Sequence, residues 1–228
     1  MLGIKSFFKK LRKKFLSFKL FFKAFLQNKK IIYLNKYNKY SDYLNHQKNK
    51  TTNPEKIKLW MGQEWSVKYK GFLELFKRNK KYLLNKKNAI CLGSRTGQEV
   101  KSLIDLGIEA KGIDLVPFPP YTIEGDIHNI DIPDNSIDLI FTNIVDHSLY
   151  PAKFCSEMER ICKPQGNIII HLQRGIDGDI YSENMIRDPE VIISYFKKFK
   201  LCENRRIKNS FDLMNWEIIL EKKISVDC

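Results

Sequence analysis

Residues 89–115 read AICLGSRTGQEVKSLIDLGIEAKGIDL, and the fold class follows from this stretch. The apolar run 89–92 predicts a strand, and the segment from Gly93 to Gly97 predicts a turn that contains two glycines. A helix-like stretch then leads to a second strand, which ends in Asp114. This order predicts half of a nucleotide-binding α/β unit, because the turn brings bare backbone close to a ligand and the acid accepts hydrogen bonds from ribose hydroxyls. The sequence therefore predicts an enzyme that uses an adenosine-containing cofactor.

Strands and helices continue to alternate after this unit. In order, they are a short third strand ending at 125–126, a fourth strand over 137–142, a helix over 151–162, a fifth strand over 167–172, a helix over 191–199 and strands over 200–207 and 215–220. This alternation predicts an α/β fold with a doubly wound, mostly parallel seven-stranded sheet and a C-terminal antiparallel hairpin. We expect the domain to cover residues 55–228, with helical periodicity over 55–85 at its start. Residues 1–54 are predicted to form a basic helical extension, with a connector from residue 31 onward.

Positive charge is concentrated in that extension. The chain has a net charge of +14, but residues 1–41 hold twelve Lys and Arg without any Asp or Glu, whereas residues 91–228 carry a net charge of −6. Apolar residues recur in residues 1–30 at alternating steps of four and three, which places them on one helical face: Ile4, Phe8, Leu11, Phe15, Phe18, Phe22 and Phe25. An apolar stripe among lysines predicts contact with an anionic membrane surface. The alternatives are packing on the domain itself, a partly disordered basic tail, contact with nucleic acid and a targeting peptide.

Cysteine and histidine spacing gives no sign of a metal or disulfide framework. The five cysteines form no Cys-x-x-Cys pair, and the four histidines have no ligand spacing with acids or cysteines. No apolar run approaches the roughly 20 residues that a membrane-spanning helix needs. We therefore predict no metal, no secretion, and a cytoplasmic protein that is peripheral at a membrane if the N-terminal helix binds one.

Five short motifs narrow the class of enzyme. They are CLGSRTGQE at 91–99, GIDL at 112–115, GDIH at 125–128, PDNSIDLI at 133–140 and ERICKPQG at 159–166. In this order they resemble class I S-adenosylmethionine-dependent methyltransferases, and most of all the small-molecule type. The resemblance covers residues 88–172, with compatible topology up to 222. It implies a Rossmann-like methyltransferase fold and methyl transfer from S-adenosylmethionine to an O or N nucleophile of a small-molecule or lipid- or sugar-type acceptor.

The resemblance also implies a set of cofactor-binding residues. The turn wraps the methionine part of the cofactor, the acid after the second strand binds both ribose hydroxyls, and the residues after the second and third strands contact adenine. An amide at the end of the fourth strand faces the methionine and the acceptor. On this chain these positions are Gly93, Ser94, Arg95, Thr96 and Gly97 for the turn, Asp114 for the ribose, Leu115, Asp126 and Ile127 for adenine, and Asn143 for the amide.

Two residues depart from the family pattern. Cys91 stands where the family usually has an acid, two positions before the first glycine, and Arg95 stands where it has a middle glycine. The missing acid removes a usual partner of the cofactor. Arg95 either points outward or holds a carboxylate of cofactor or acceptor as a two-pronged donor.

Asp146 and His147 follow the fourth strand, at the edge of such sheets where ligands bind. Imidazole exchanges protons near neutral pH, so His147 is the candidate base for a protonated acceptor, and Asp146 is the candidate residue that orients it. The alternative is that His147 caps the next helix or lines the pocket. His171, at the end of the fifth strand, is a second histidine that could face the pocket.

Three other functions compete with this one. A nicotinamide dehydrogenase would need Gly-x-Gly-x-x-Gly, and this turn supplies only Gly93 and Gly97. A nucleic-acid (RNA) methyltransferase would use the basic N-terminus to hold phosphates. A cofactor-fold protein without activity would serve as an interaction module, which the departures at Cys91 and Arg95 allow.

Overall fold

The computed structural model describes residues 29–175, 178–208 and 211–224. The predicted amphipathic helix falls almost wholly in residues 1–28, outside these ranges, and stays a prediction. The strands, in chain order, are β1 (Ile31–Tyr33), β2 (Asn88–Leu92), β3 (Glu109–Asp114), β4 (Thr122–Glu124), β5 (Ile137–Thr142), β6 (Cys162–Leu172), β7 (Asn184–Ile186), β8 (Phe199–Arg206) and β9 (Trp216–Lys222). The helices are α1 (Tyr40–Thr51), α2 (Pro54–Met61), α3 (Gln63–Arg78), α4 (Gln98–Asp105), α5 (Pro151–Ile161) and α6 (Glu190–Ile193). Within the described ranges, no helix is both long enough and apolar enough to cross a bilayer.

Seven strands form one sheet in the order β4-β3-β2-β5-β6-β9-β8. The five strands from β4 to β6 are parallel, and β9 and β8 continue the sheet in antiparallel fashion. This confirms the predicted mostly parallel sheet with its C-terminal hairpin. Strands β1 and β7 pair separately, as a small antiparallel ribbon in which Ile31 lies opposite Ile186.

Helices cover both faces of the sheet, as parallel sheets require. Residues of β2 alternate between the two apolar cores, with Cys91 in the core beneath α3 and α4 and Leu92 in the core on the side of α5. Phe72 and Phe76 of α3 and Phe154 of α5 are among the buried aromatic residues of these cores. A strand that is buried on both faces reads as a continuous apolar run, which explains why residues 89–92 were recognisable in the sequence.

Residues 31–54 differ from the predicted connector. They form β1 and the twelve-residue helix α1. This helix has little apolar character, but Tyr43 is 2% exposed and its hydroxyl donates to the backbone carbonyl of His147. Contacts distant in sequence stabilise the helix, because most helical stability in proteins comes from tertiary packing. The proposed division of the chain at residue 54 stays a prediction.

Three other boundaries differ from the sequence predictions. The helical stretch 55–85 is broken at Gly62, where a Cβ would lie 2.8 Å from the carbonyl oxygen of Lys58. Helix α6 is only four residues long, whereas the periodicity predicted a helix over 191–199. Strand β6 begins at Cys162, ahead of the predicted turn. Its pairing with β5 is irregular at first and becomes regular at Asn167.

His171 does not face the cofactor edge. Both His171 and Glu217 are 0% exposed, and the imidazole Nε2 lies 2.9 Å from Oε2 of the glutamate. Asn79 donates to the same oxygen at 2.7 Å, and Arg205 donates to Oε1 at 2.7 Å. Burial by itself would raise the pKa of Glu217, but the hydrogen bond and charge of His171, with help from Arg205 and Asn79, hold it at about 2. His171 is therefore not a pocket residue. It links β6 to β9 through its contact with Glu217.

This buried network predicts a pH-dependent contribution to stability. Because the folded-state pKa of Glu217 lies below its unfolded value, the stabilisation is present above about pH 4.5 and is lost as the pH falls toward 2. We expect Glu217→Gln to lower the free energy of unfolding by about 3 kcal/mol at pH 7, with the difference from the parent shrinking in acid. Urea unfolding at pH 7 and at pH 3 measures both effects. Glu221→Gln on the same strand is the matched control, and an equal deficit at both pH values would contradict the prediction.

Candidate active site

The site lies where β2, β3 and β5 end side by side at one edge of the sheet. Thr142, the last residue of β5, donates its hydroxyl to the backbone carbonyl of Leu92, the last residue of β2, at 3.1 Å. Gly93 and Asn143 follow these strands directly, and Asp114 ends β3. A cavity of about 740 Å³ opens above this edge, and Gly93, Asn143 and Asp146 are among its lining residues. A smaller cavity of about 60 Å³ adjoins it beside Asp114.

The turn after β2 is held in a backbone conformation that few side chains allow. Gly93 has a φ of 75°, and a Cβ there would lie 2.4 Å from the side chain of Ile144. Gly97 has a φ of 78° and precedes the first turn of α4. Arg95 also lies in the left-handed region, with a φ of 45°, which explains why a glycine is common at this position. The turn therefore presents its backbone to the cavity.

Asp114 is anchored by the backbone around it. Its Oδ2 accepts from the N–H of Arg95 at 2.9 Å, and its Oδ1 accepts from the N–H of Val116 at 3.2 Å. Burial raises the pKa of Asp114, and these two backbone donors act in the opposite direction. Each carboxylate oxygen has a further lone pair, so the group can accept two more hydrogen bonds. Asp114 lines the smaller cavity, together with the predicted cofactor residues Leu115, Asp126 and Ile127.

The carboxylate of Asp126 accepts hydrogen bonds from helix α1 and from the loop that follows Asp126 in the sequence. The hydroxyl of Tyr40 donates to its Oδ2 at 2.6 Å, and the N–H of His128 donates to its Oδ1 at 2.8 Å. Burial would raise the pKa of Asp126, but hydrogen bonds from His128 and Tyr40 outweigh it and hold the pKa at about 2. The carboxylate is thus a fixed anion at the end of the smaller cavity.

Asp146 and His147 occupy a short helical turn after β5 and line the larger cavity. The imidazole Nδ1 lies 2.9 Å from the backbone carbonyl of Tyr181, which can only accept, so Nδ1 carries the hydrogen. The imidazole Nε2 is 3.6 Å from Oδ2 of Asp146 and 3.2 Å from Nζ of Lys50. The Ser182 hydroxyl donates to the same Asp146 oxygen at 3.1 Å. His147 therefore donates its Nδ1–H to that carbonyl, and its Nε2 lies between the ammonium group of Lys50 and the carboxylate of Asp146.

Lys50 is a site residue that the sequence analysis missed. It is 9% exposed, and its ammonium group lies 2.9 Å from Oδ2 of Asp179. Burial is the main cause that lowers the pKa of Lys50, while the charge of Asp179 opposes that effect. A signal for it existed in the sequence, since Tyr43, Gln47 and Lys50 have the i, i+4, i+7 spacing of one helical face. All three residues line the smaller cavity.

The predicted site residues thus divide between the two cavities. Four line the larger cavity alone, namely Ser94, Thr96, Asn143 and Asp146. Four line the smaller cavity alone, namely Asp114, Leu115, Asp126 and Ile127. Three line both cavities, namely Gly93, Arg95 and His147. Gly97 lines neither and instead precedes α4. The roles of all these residues remain predictions.

The edge meets the requirements of an adenosine-containing cofactor. The hydroxyl oxygen of Ser94 is buried without a hydrogen-bond partner in the part of the chain that the structure describes, and Ser94 lines the larger cavity. Asp114 has the spare acceptors that a ribose needs. Tyr43 and Gln47 of α1 line the smaller cavity beside Asp114.

Fold and site together define a Rossmann-like protein whose cofactor edge lies at the carboxyl ends of parallel strands. Residues 90–170 match the model of a family described as "Methyltransferase domain". The matched segment builds the cofactor edge, and the chain has the fold of the class I S-adenosylmethionine-dependent methyltransferases. S-adenosylmethionine is the cofactor of that class.

Solved structures support this assignment of the fold. The 1,6-didemethyltoxoflavin-N1-methyltransferase of Burkholderia thailandensis, with bound 1,6-didemethyltoxoflavin and S-adenosylhomocysteine, is 10% identical and has a TM-score of 0.63, over 85% of this chain and 95% of that one. A SAM-dependent methyltransferase from Archaeoglobus fulgidus is 14% identical, with a TM-score of 0.54 over 68% and 94% of the two chains. One from Aquifex aeolicus is 17% identical, with a TM-score of 0.51 over 79% and 98%. No curated protein matches the chain in sequence.

Proposed function

We propose that this protein transfers a methyl group from S-adenosylmethionine to an O or N nucleophile of a small-molecule acceptor. The observation that carries the proposal is that one continuous edge bears an acid anchored by backbone donors, Asp114, and an imidazole whose Nδ1–H is fixed by a backbone carbonyl, His147, beside a cavity of about 740 Å³. A cavity of this size is in the range of small-molecule sites. The Burkholderia protein of similar fold also carries a small-molecule ligand beside the nucleoside product.

Bound S-adenosylmethionine would supply an electrophilic methyl group on its sulfonium. In this proposal Asp114 accepts from the ribose hydroxyls, while Leu115, Ile127 and Asp126 contact adenine. The turn from Gly93 to Gly97 surrounds the methionine part, and Asn143 faces the methionine and the acceptor. Methyl transfer is an in-line displacement, so the main tasks of the protein are to align the acceptor and to exclude water.

His147 is the proposed base for an acceptor that arrives protonated. Because Nδ1 donates to the Tyr181 carbonyl, Nε2 is the nitrogen that can take a proton. In the structure Nε2 lies 3.2 Å from the ammonium group of Lys50, so the hydroxyl or amine of the acceptor would replace that group there. Asp146, at 3.6 Å from Nε2, would then stabilise the imidazolium. Lys50 would stay paired with Asp179.

Two experiments test the function. Calorimetric titration with S-adenosylhomocysteine, and with NAD as the competing nucleotide, measures cofactor binding; we expect heat with the first compound alone. Incubation with methyl-labelled S-adenosylmethionine and cell extract divided into small molecules, lipids and RNA then identifies the acceptor class. We expect label in the small-molecule fraction. Label in RNA would favour the nucleic-acid alternative, and absence of binding to S-adenosylhomocysteine would favour the inactive interaction module.

The proposed membrane contact concerns residues 1–30, most of which lie outside the described ranges. The support for it is the apolar stripe among lysines in the sequence. We expect the full chain to sediment with vesicles that contain anionic lipid and to remain in solution with neutral vesicles, because lysines add attraction to an anionic surface. A chain that lacks residues 1–30 should not sediment with either. Equal sedimentation of both chains would contradict the prediction.

A further inference from the structure

Two ionisable side chains of the larger cavity, Arg95 and Glu99, have no hydrogen bond or ion pair to another side chain in the part of the chain that the structure describes. Lys50, by contrast, is paired with Asp179 at 2.9 Å. Neither Arg95 nor Glu99 makes a side-chain hydrogen bond or ion pair to another side chain within residues 29–175, 178–208 and 211–224, although both line the cavity. A buried charge without a partner is costly, so a buried acid tends to hold its proton until a cationic group comes beside it.

Arg95 is held so that its guanidinium stays at the junction of the two cavities. Its backbone N–H is fixed by Asp114, and the guanidinium stacks 4.0 Å from the centre of the Trp60 ring. Trp60 itself is 6% exposed. Burial lowers the pKa of Arg95, with the charges of Asp114 and Glu99 acting against that effect. Stacking uses the face of the guanidinium and leaves its in-plane N–H donors for an anion.

Glu99 places a carboxylate in the same cavity from the first turn of α4. The residue is 5% exposed, and burial raises its pKa to about 8. The neighbouring charges that act on it are those of Arg95, Asp114 and Lys68. Burial is the main cause that raises the pKa of the Cys91 thiol, and the nearby Glu99 adds to that effect. Glu99 therefore brings an acidic group to the region where the sequence has Cys91 in place of the usual acid.

We propose that Arg95 and Glu99 form a clamp for the α-amino acid end of the cofactor, with Arg95 binding the α-carboxylate and Glu99 binding the α-ammonium. The inference rests on the proposed function, since it requires S-adenosylmethionine or its product at this edge. A separate cation would serve only Glu99, and a separate anion would serve only Arg95. An α-amino acid carries both charges on one carbon atom, and S-adenosylmethionine ends in such a group.

The test compares two ligands that share the adenosine part. S-adenosylhomocysteine has the amino acid end, and 5′-methylthioadenosine lacks it. In calorimetric titrations we expect Glu99→Gln and Arg95→Gln each to weaken S-adenosylhomocysteine about tenfold or more, because each removes a hydrogen bond between charged groups. Binding of 5′-methylthioadenosine should not change. Glu64→Gln is the matched control, because Glu64 lines the same cavity but is already paired with Lys68 at 2.7 Å.

The possible outcomes separate the clamp from the function. If the parent protein binds S-adenosylhomocysteine and both variants bind it equally well, the clamp is wrong and the proposed function stands. If the variants lose both ligands to the same extent, the two residues support the fold of the site and the clamp is again wrong. If the parent binds neither ligand, the proposed function fails and the clamp fails with it.

Discussion

Asp114→Ala is expected to reduce the affinity for S-adenosylhomocysteine by about 100-fold or more. The carboxylate is held by the backbone N–H groups of Arg95 and Val116, which leaves one lone pair on each oxygen for the ribose. A hydrogen bond to a charged group contributes roughly 1.5–3 kcal/mol, and every 1.4 kcal/mol changes the dissociation constant tenfold. Loss of two such bonds therefore exceeds the effect expected at Arg95 or Glu99. Calorimetric titration measures the dissociation constant directly.

The variant also removes an acceptor from two backbone donors, so folding must be checked separately. Urea unfolding of Asp114→Ala shows whether the chain retains its stability. Asp131→Ala is a suitable control, since Asp131 is an exposed acid in the same α/β unit with no role in the site. If the folded Asp114 variant binds S-adenosylhomocysteine as tightly as the parent does, Asp114 is not the ribose acceptor.

The sheet and its cofactor edge were predictable because their signals are local. Strand β2 is buried on both faces, so its apolar run stands out, and Gly93 marks the turn that ends it. Asp114 ends the next strand, and β2 and β3 are neighbours in register, with Leu92 opposite Ile113. Parallel strands that follow one another in such units place their ends together, so the spacing in the sequence already gives the site its position.

Helix α1 was not predictable in the same way. Residues 40–51 are rich in Asn and Lys and have a weak apolar face, a pattern that predicts a connector. Their position depends on contacts with residues about 100 positions away, such as the bond from Tyr43 to the His147 carbonyl and the contact of Lys50 with His147 Nε2. Spacing along the chain carries no information about such pairs. The environment of His147 therefore required the structure.

Arg95 shows the same limit on a smaller scale. The sequence left open whether its side chain points outward or holds a carboxylate. Its guanidinium lies at the cavity because the backbone has a φ of 45° and the side chain stacks on Trp60. Trp60 comes from α2, which is separate from the turn in the sequence, so the contact could not be read from the motif. The sequence did not single out Glu99 for a related reason. Acids are common near the start of a helix because they interact favourably with the helix dipole, so this position alone does not indicate a ligand.

His147→Gln is expected to lower the rate of methyl transfer by about 100-fold to 10,000-fold, which is the usual contribution of a positioned acid or base. Glutamine keeps a polar group at the cavity but cannot take a proton from the acceptor. The Tyr43 bond goes to the backbone carbonyl of residue 147 and survives the substitution. We therefore expect unchanged affinity for S-adenosylhomocysteine. The measurement is single-turnover transfer from methyl-labelled S-adenosylmethionine to the acceptor identified in cell extract.

The rate and the affinity for the acceptor together distinguish a base from a residue that only shapes the pocket. Loss of a base should lower the single-turnover rate at saturating acceptor, whereas loss of a residue that only shapes the pocket should mainly weaken binding of the acceptor. His46→Gln is the control, because His46 also bonds a backbone carbonyl, that of Ile180, but lines neither cavity. If His147→Gln retains the full rate, the acceptor arrives without its proton or another group removes it. Lys50 would then be the next residue to test, since burial lowers its pKa and its nitrogen lies 3.2 Å from the same Nε2.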